Sequence, residues 1–277
     1  MLSVLSDRKS NVDYFVSLIL ILLVNVNSVY AKANFGVEKE LNFASIDYCP
    51  FTCDPDKENG KEGIMIEVLR LSLEPIGYRV KFDIMPYSRA IAEVKLNNYD
   101  GIAVVIKSHA PSFIYPELPT LRPRVGLYIK KERNLSYSST DSLKNSLMVV
   151  VQDYKYDNAN FDAYIARNKG NKARILSLTG NNTVERALKS ILFQRADVYL
   201  ENQLSVAYYA TGLEIKNKIQ LIHSIPSDIN DYSAFSPTII EAKYLSIQLS
   251  STIKELYETG KMNAIFKKYG VVSSLQE

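Results

Sequence analysis

Cysteine, histidine and clustered charge are all scarce in this sequence. Its 277 residues include two cysteines and two histidines, and 33 Lys+Arg face 30 Asp+Glu for a formal charge of +3. Two cysteines exclude a disulfide-dense miniprotein. Cys49, Cys53 and the distant His109 and His223 are too few to compose a metal centre. There is no block of Lys and Arg, so the clustered phosphate contacts on which nucleic-acid binding depends have no counterpart. No Gly-x-Gly-x-x-Gly or phosphate loop asks for a nucleotide, and no cofactor is expected. A Gly-x-Ser-x-Gly elbow is missing as well, which leaves hydrolysis without a visible nucleophile. With 47% hydrophobic and 23% charged residues, the composition is that of an ordinary globular chain with room for one or two cores.

Long apolar runs are also missing, with one exception. Tyr14 to Val24 is apolar, yet shorter than the roughly 20 residues of a membrane-spanning helix. Arg8 and Lys9 precede it, and a polar stretch leads on to Ala31 and Ala33, the three-part layout of a secretory signal peptide. Residues 1–31 are therefore expected to be an export signal, cleaved after Ala31 or Ala33, and the mature chain to be soluble and periplasmic. An uncleaved anchor is the alternative, because Asp7 and Asp13 offset the positive charge of the first segment. Export puts Cys49 and Cys53 in an oxidising compartment, where a bridge is expected. Four residues apart, they reach disulfide geometry only in a turn, which Pro50 and Pro55 favour.

From Leu41 onward, short β-rich runs alternate with segments of helical period, the pattern of parallel strands joined by helical crossovers. Leu41–Ile46 reads as a strand. Ile64, Val68, Leu69, Leu73 and Ile76 fall on one helical face, stopped by Gly77. Tyr78–Met85 alternates, Pro86 and the run Ser88–Val94 start a second helix, and Gly101–Ile106 is a short, fully apolar strand. After the charged run Lys130–Arg133 the module repeats. Leu147–Val151 is followed by a helix with Phe161, Tyr164 and Ile165 inward, then by Arg174–Leu178. A helix carrying Val184, Ala187, Leu188, Ile191 and Leu192 comes next, with Asn182 or Thr183 as its cap, then Ala196–Leu200 and a helix over Gln203–Thr211. Two more helices, Leu245–Leu256 and Met262–Tyr269, flank Gly260. Two α/β modules of similar size suggest two lobes with a cleft between them, where ligands tend to bind.

Several short motifs follow one another in a known order: Asp47-Tyr48-Cys49-Pro50-Phe51, Gly63-Ile64-Met65-Ile66-Glu67-Val68-Leu69 with Gly77-Tyr78, Met85-Pro86-Tyr87-Ser88-Arg89-Ala90, and Asn98-Tyr99-Asp100-Gly101. This order resembles the family 3 extracellular solute-binding proteins, the type II periplasmic receptors of polar amino acid ABC transporters. Ala187–Tyr209 with Arg195-Ala196-Asp197, and Gly260-Lys261-Met262 through Tyr269-Gly270, extend the resemblance over nearly all of the mature chain. The resemblance implies a two-lobed α/β fold, each lobe a mostly parallel sheet flanked by helices. Lobe 1 would take residues 38–129 and 225–277 and lobe 2 residues 130–224, joined by two hinge strands near Lys130 and near His223–Pro226. It further implies a monomeric receptor that captures a small polar solute, amino-acid-like or an organic acid, and delivers it to a membrane ABC permease by hinge closure.

The residues expected to touch such a solute sit at strand ends. Tyr48 and Phe51 flank the carboxyl end of the first strand, where α/β sites open. Arg89 opens a helix, where its charge opposes the positive helix end unless an anion accepts it; pairing with Asp83 or Glu93 on the surface is the alternative. Receptors of α-amino acids carry a carboxylate-gripping Arg after the third strand, and this sequence departs from them, with Lys107 or His109 in that region. The acid that holds the ligand ammonium in those receptors falls at Asn202, beside Glu201. Tyr154, Lys155 and Tyr156 follow a strand and precede a helix, where main-chain N–H groups can meet an anion.

Two other classes stay open. A soluble receptor can present its closed form to a membrane sensor, and cyclohexadienyl dehydratases share the resembled fold. A dehydratase needs a positioned acid or base, for which Glu201 or His109 is the candidate.

Overall fold

A computed structural model of the chain describes residues 39–152, 154, 156, 158–180, 182–225 and 230–272; the expected export signal, Lys155 and Pro226 lie outside them. In chain order the strands are β1 (Lys39–Ser45), β2 (Tyr78–Ile84), β3 (Gly101–Ile106), β4 (Val125–Lys130), β5 (Met148–Val151), β6 (Ile175–Leu178), β7 (Val198–Asn202), β8 (Ile219–Ile225) and β9 (Asp231–Phe235). The helices are α1 (Ile64–Leu73), α2 (Tyr87–Lys95), α3 (Ala159–Arg167), α4 (Thr183–Leu192), α5 (Gln203–Gly212), α6 (Ala242–Glu258) and α7 (Lys261–Lys268).

Two sheets result, a four-stranded one in the order β2-β1-β3-β9 and a five-stranded one in the order β6-β5-β7-β4-β8. The first five residues of β3 are buried, as a central strand with both faces covered must be. It pairs in parallel with β1 through Phe43↔Gly101 and antiparallel with β9 through Gly101↔Phe235. The apolar stripe of α1 covers one face of this sheet. Pro75 cannot donate an N–H, so the helix tightens into a 3₁₀ turn over Glu74–Ile76, and Gly77 ends it at φ 90°. Ile76 is thereby left half-buried at the rim of the face the sequence predicted for it.

Each sheet carries a core on both faces. Leu41, Phe43 and Val80 pack with α1 and with Leu245, Leu249, Ile253, Met262 and Phe266 of the two C-terminal helices, while Ala44, Ile102 and Val105 meet Ala90 and Val94 of α2 on the opposite face. In the second sheet Val198 and Leu200 pack on Phe161 and Tyr164 of α3, and Tyr199 and Val149 on Val184, Leu188 and Ile191 of α4. Helix α5 belongs to two cores at once. Leu204 and Tyr208 are buried with the first sheet's apolar residues, Val206 and Ala210 with the second's.

The second sheet is mixed rather than mostly parallel. β5 pairs in parallel with β6 and β7, but β4 is antiparallel to both β7 and β8. Leu121 still bridges Asp231 of the first sheet, and Val125 already pairs with Asn202 and Ile225 of the second. The chain thus crosses between sheets at residues 122–124, ahead of Lys130, which ends β4 within the second sheet. It returns between Ile225 and Asp231. Asn182 occupies the position before α4 in a left-handed conformation, with no side-chain bond to the helix.

Candidate functional site

The carboxyl end of β1 runs into a tight loop closed by the Cys49–Cys53 disulfide, whose Cα atoms are 4.9 Å apart. Tyr48 N–H donates to the Thr52 carbonyl at 2.7 Å, and the Phe51 and Thr52 amides return bonds to the Tyr48 carbonyl. Helix α1 begins at Ile64, eleven residues after Cys53, and has no side-chain cap. Its free N–H groups are met instead by the loop: Ile64 donates to the Pro50 carbonyl at 2.9 Å and Met65 to the Phe51 carbonyl at 2.8 Å. Phe51 is fully buried and stacks under Tyr48, ring centroids 4.7 Å apart and planes 7° from parallel. Phe51 is therefore a support, and Tyr48 the ring it presents.

Tyr48 Oη lies 3.5 Å from Tyr154 Oη, which follows β5 of the other sheet. Tyr154 in turn meets Tyr156 edge to face at 4.9 Å, and Tyr156 Oη accepts the Val151 N–H at 3.2 Å. Burial pushes the Tyr48 phenol well above its usual range, and the nearby Tyr154, Glu201 and Asp231 add to the shift. The contact joins the carboxyl ends of strands from both sheets, where ligands of open α/β sheets are met.

Glu201 stands at the carboxyl end of β7, two residues from Tyr199 and on the same strand face. It is 2% exposed. Tyr199 Oη donates to Oε2 at 2.8 Å and the Asn202 N–H to Oε1 at 2.8 Å. Burial raises the carboxyl to about 7 against the lowering effect of those two bonds. Asn202 ends the strand and caps α5, its Oδ1 accepting the Leu204 N–H at 2.9 Å, so its side-chain oxygen is engaged by the helix.

A second buried carboxyl was not among the residues predicted from sequence. Asp231 opens β9 opposite Ile106 and is 6% exposed. Its backbone is fully used: the amide donates to the Leu121 carbonyl at 2.9 Å, and its carbonyl accepts from Thr120 and Leu121 at 3.0 and 3.2 Å. Its carboxyl has no hydrogen-bond partner among the described residues, and burial alone raises it to about 7. The sequence signal for it is slight, an acid at the head of the otherwise uncharged run Asp231–Phe235.

The structure separates the remaining predicted residues from this group. Arg89 is on the exposed side of the first turn of α2, 67% accessible, with Nε 3.3 Å from Glu93 Oε1. The unfavourable helix-end placement is resolved one turn later on the same helix, by the surface pairing the sequence left as the alternative. Lys107 is exposed on a 3₁₀ turn after β3, its Nζ 5.5 Å from the centre of the Tyr115 ring. His109, on the same turn, has Nδ1 2.9 Å from Tyr87 Oη. Arg89→Ala is expected to leave thermal stability within about 0.5 kcal/mol, the scale of an exposed pair, as read by calorimetric melting.

Neither the protein-family models nor the curated proteins match this sequence. Solved structures do. An ancestral arginine-binding protein bound to arginine superposes with a TM-score of 0.61 at 15% identity, over 84% of this chain and 99% of that one. The L-cystine solute receptor of Neisseria gonorrhoeae, in its unliganded open conformation, gives 0.59 at 21% identity, over 84% and 92%. A histidine kinase sensor domain with similarity to periplasmic binding proteins gives 0.61 at 16%, over 84% and 96%. The chain has the periplasmic-binding-protein fold. Among the described residues no helix is long and apolar enough to cross a membrane.

Proposed function

We propose that the protein is an exported solute-binding receptor: the two sheet layers act as lobes, residues 122–124 act as a hinge between them, and a small polar solute is held without covalent change and handed to a membrane ABC permease. The observation that carries this reading is the meeting of Tyr48 with Tyr154 between the carboxyl ends of the two sheets, next to the buried Glu201 and Asp231. Tyr48, Tyr154 and Glu201 are the predicted residues assigned to solute contact. A pair of buried carboxyls among tyrosine hydroxyls binds polar groups in a site shielded from water. Hinge closure supplies capture and release without chemistry at the solute.

Titration of the purified chain against amino acids, amines and organic acids tests the reading. One-to-one binding is expected, with the solute recovered unchanged and a smaller radius of gyration in solution scattering. Steady conversion of a prephenate-like acid would instead favour a dehydratase, a reading supported by Glu201, whose carboxyl near 7 suits acid-base work. A sensing receptor is favoured by the sensor domain that shares the fold. Capture by a membrane kinase instead of a permease in a cross-linking experiment distinguishes it.

A further inference from the structure

The second sheet carries a pocket at the end away from the Tyr48–Tyr154 contact. Strand β4 runs from Val125, opposite Asn202, to Lys130, opposite Ile219. At about 3.4 Å per residue, Lys130 lies about 17 Å along the sheet from Asn202. Lys130, Lys218 and the ends of α4 and α5 there line a pocket of about 470 Å³, a size that small molecules occupy.

Half of its lining is apolar. Ile215 is buried, and Leu192 and Leu213 are half-buried against the core of Val184, Leu188 and Ile191. Phe193 continues this surface outward, 67% exposed, with the Arg195 guanidinium 5.9 Å from its ring centre. An aromatic ring left in water at a pocket wall has apolar area still to bury.

The polar half is mostly positive, with Lys130, Lys189 and Lys218 against Glu132. Glu132 is 68% exposed and 3.7 Å from Lys130, a loose surface pair of little strength. Lys189 pairs with Glu185 of its own helix, and Lys218 has no ion pair among the described residues. Cations near helix ends can serve the terminal carbonyls. Here the main chain already answers them: Arg195 and Ala196 donate to the Ser190 carbonyl at 2.8 and 3.1 Å, and Ile215 to the Ala210 carbonyl at 2.9 Å. Moreover, Lys130 ends a strand and Lys218 a single 3₁₀ turn. The ammonium groups are therefore open to a ligand.

A cation is repelled by such a lining, and a small hydrated anion leaves its apolar half uncovered. A molecule with both an apolar tail and a negative head satisfies the two halves together. We propose that this pocket is a second binding site, for an anionic amphiphile taken up as a single molecule. Its alkyl chain lies on Leu192, Leu213 and Ile215, and its carboxylate, sulfate or phosphate head lies among Lys130, Lys189 and Lys218.

Sodium decanoate, decan-1-ol, decylammonium chloride and sodium acetate are to be titrated into the full chain at monomeric concentrations, with amide chemical shifts followed by NMR. Decanoate is expected to bind at least about tenfold tighter than the other three, because only it meets both halves of the lining. Its largest shifts should fall on residues 189–195 and 213–218. Lys218→Glu is expected to weaken it about tenfold, since an exposed ion pair is lost and a repulsion of similar size replaces it. Phe193→Ala is expected to weaken it about fivefold. Both positions are exposed, so the variants should melt within about 2 °C of the parent. Arg89→Ala, on the other sheet, should bind decanoate as the parent does. Binding of the alcohol or the amine as tight as decanoate, equal affinity in the parent and both variants, or no binding of decanoate would each overturn the assignment. So would sedimentation with phosphatidylglycerol vesicles that Lys218→Glu abolishes, without uptake of monomeric decanoate, which would make this face a membrane contact. None of these outcomes bears on the receptor reading, whose site is at the other end of the sheet.

Discussion

Raising the pH from 5 to 8 is expected to lower the melting temperature of the ligand-free protein by about 10 °C. Glu201 and Asp231 both have folded-state values near 7, above their ordinary values of 4.5 and 3.8, because burial disfavours the charged form. The folded chain therefore binds more protons than the unfolded chain between about pH 4 and 7, and stability falls across that window as pH rises. Shifts of this size correspond to roughly 3–4 kcal/mol each. Half of their sum, about 4 kcal/mol, moves the transition of a domain this large by about 8–16 °C. Exposed acids with lowered values, such as Asp54 and Glu93, work in the opposite sense but titrate below this window. Calorimetric scans at several pH values check the prediction. Asp231→Asn and Glu201→Gln should each flatten the profile, and a melting temperature that climbs toward pH 8 would contradict the buried-carboxyl account.

Gly63→Ala is expected to cost about 3–5 kcal/mol and to lower the melting temperature by about 6–20 °C. Gly63 has φ 102° and ψ 155°, a conformation open essentially to glycine alone. A Cβ there would lie 2.5 Å from the Phe51 carbonyl oxygen and 2.5 Å from Thr52 Cα. Both atoms are backbone of the disulfide-closed loop, so no flexible side chain can yield. The Gly63 amide also donates to Tyr269 Oη at 2.8 Å, which fixes the junction from the C-terminal side. Gly77→Ala is the matched control. It has a similar φ of 90° and open space around it, so strain of about 1 kcal/mol is all it should add. Because the displaced loop carries Tyr48, the receptor reading further expects solute affinity to fall with Gly63→Ala and not with Gly77→Ala.

Much of the fold was legible in the sequence because local period carried it. Gly101–Ile106 was read to the residue, and in α4 the predicted Val184, Ala187, Leu188 and Ile191 are all buried. The expected disulfide is formed. The antiparallel strands were not legible. β4 is a buried apolar run, but Arg122 and Arg124 before it and the charged run after it give it the look of a linker. Its strand character comes from pairing with β7 and β8, far along the chain, which no local pattern reports.

The site divides in the same way. Tyr48, Tyr154 and Glu201 come together in the structure because residues that follow parallel strands gather at one sheet end. Asp231 escaped because it leads an antiparallel strand, so its place beside Ile106 depends on register. Arg89 lies apart from them because its helix-end charge is balanced from within its own helix, by a glutamate four residues on, a pairing the sequence offered beside an anion contact.

Helix α5 couples the two halves of the molecule. Its Leu204 and Tyr208 are wedged into one hydrophobic interior while Val206 and Ala210 are held in the other, and Tyr208 also hydrogen-bonds Glu58 beside the disulfide loop. Swinging the halves apart must strip water-shy surface from that seam, at about 1.5–3 kcal/mol for each large side chain uncovered. On the receptor reading, closure on a solute has to slide this seam, so the pace of capture would depend on how readily the wedge shifts as well as on how fast solute diffuses in.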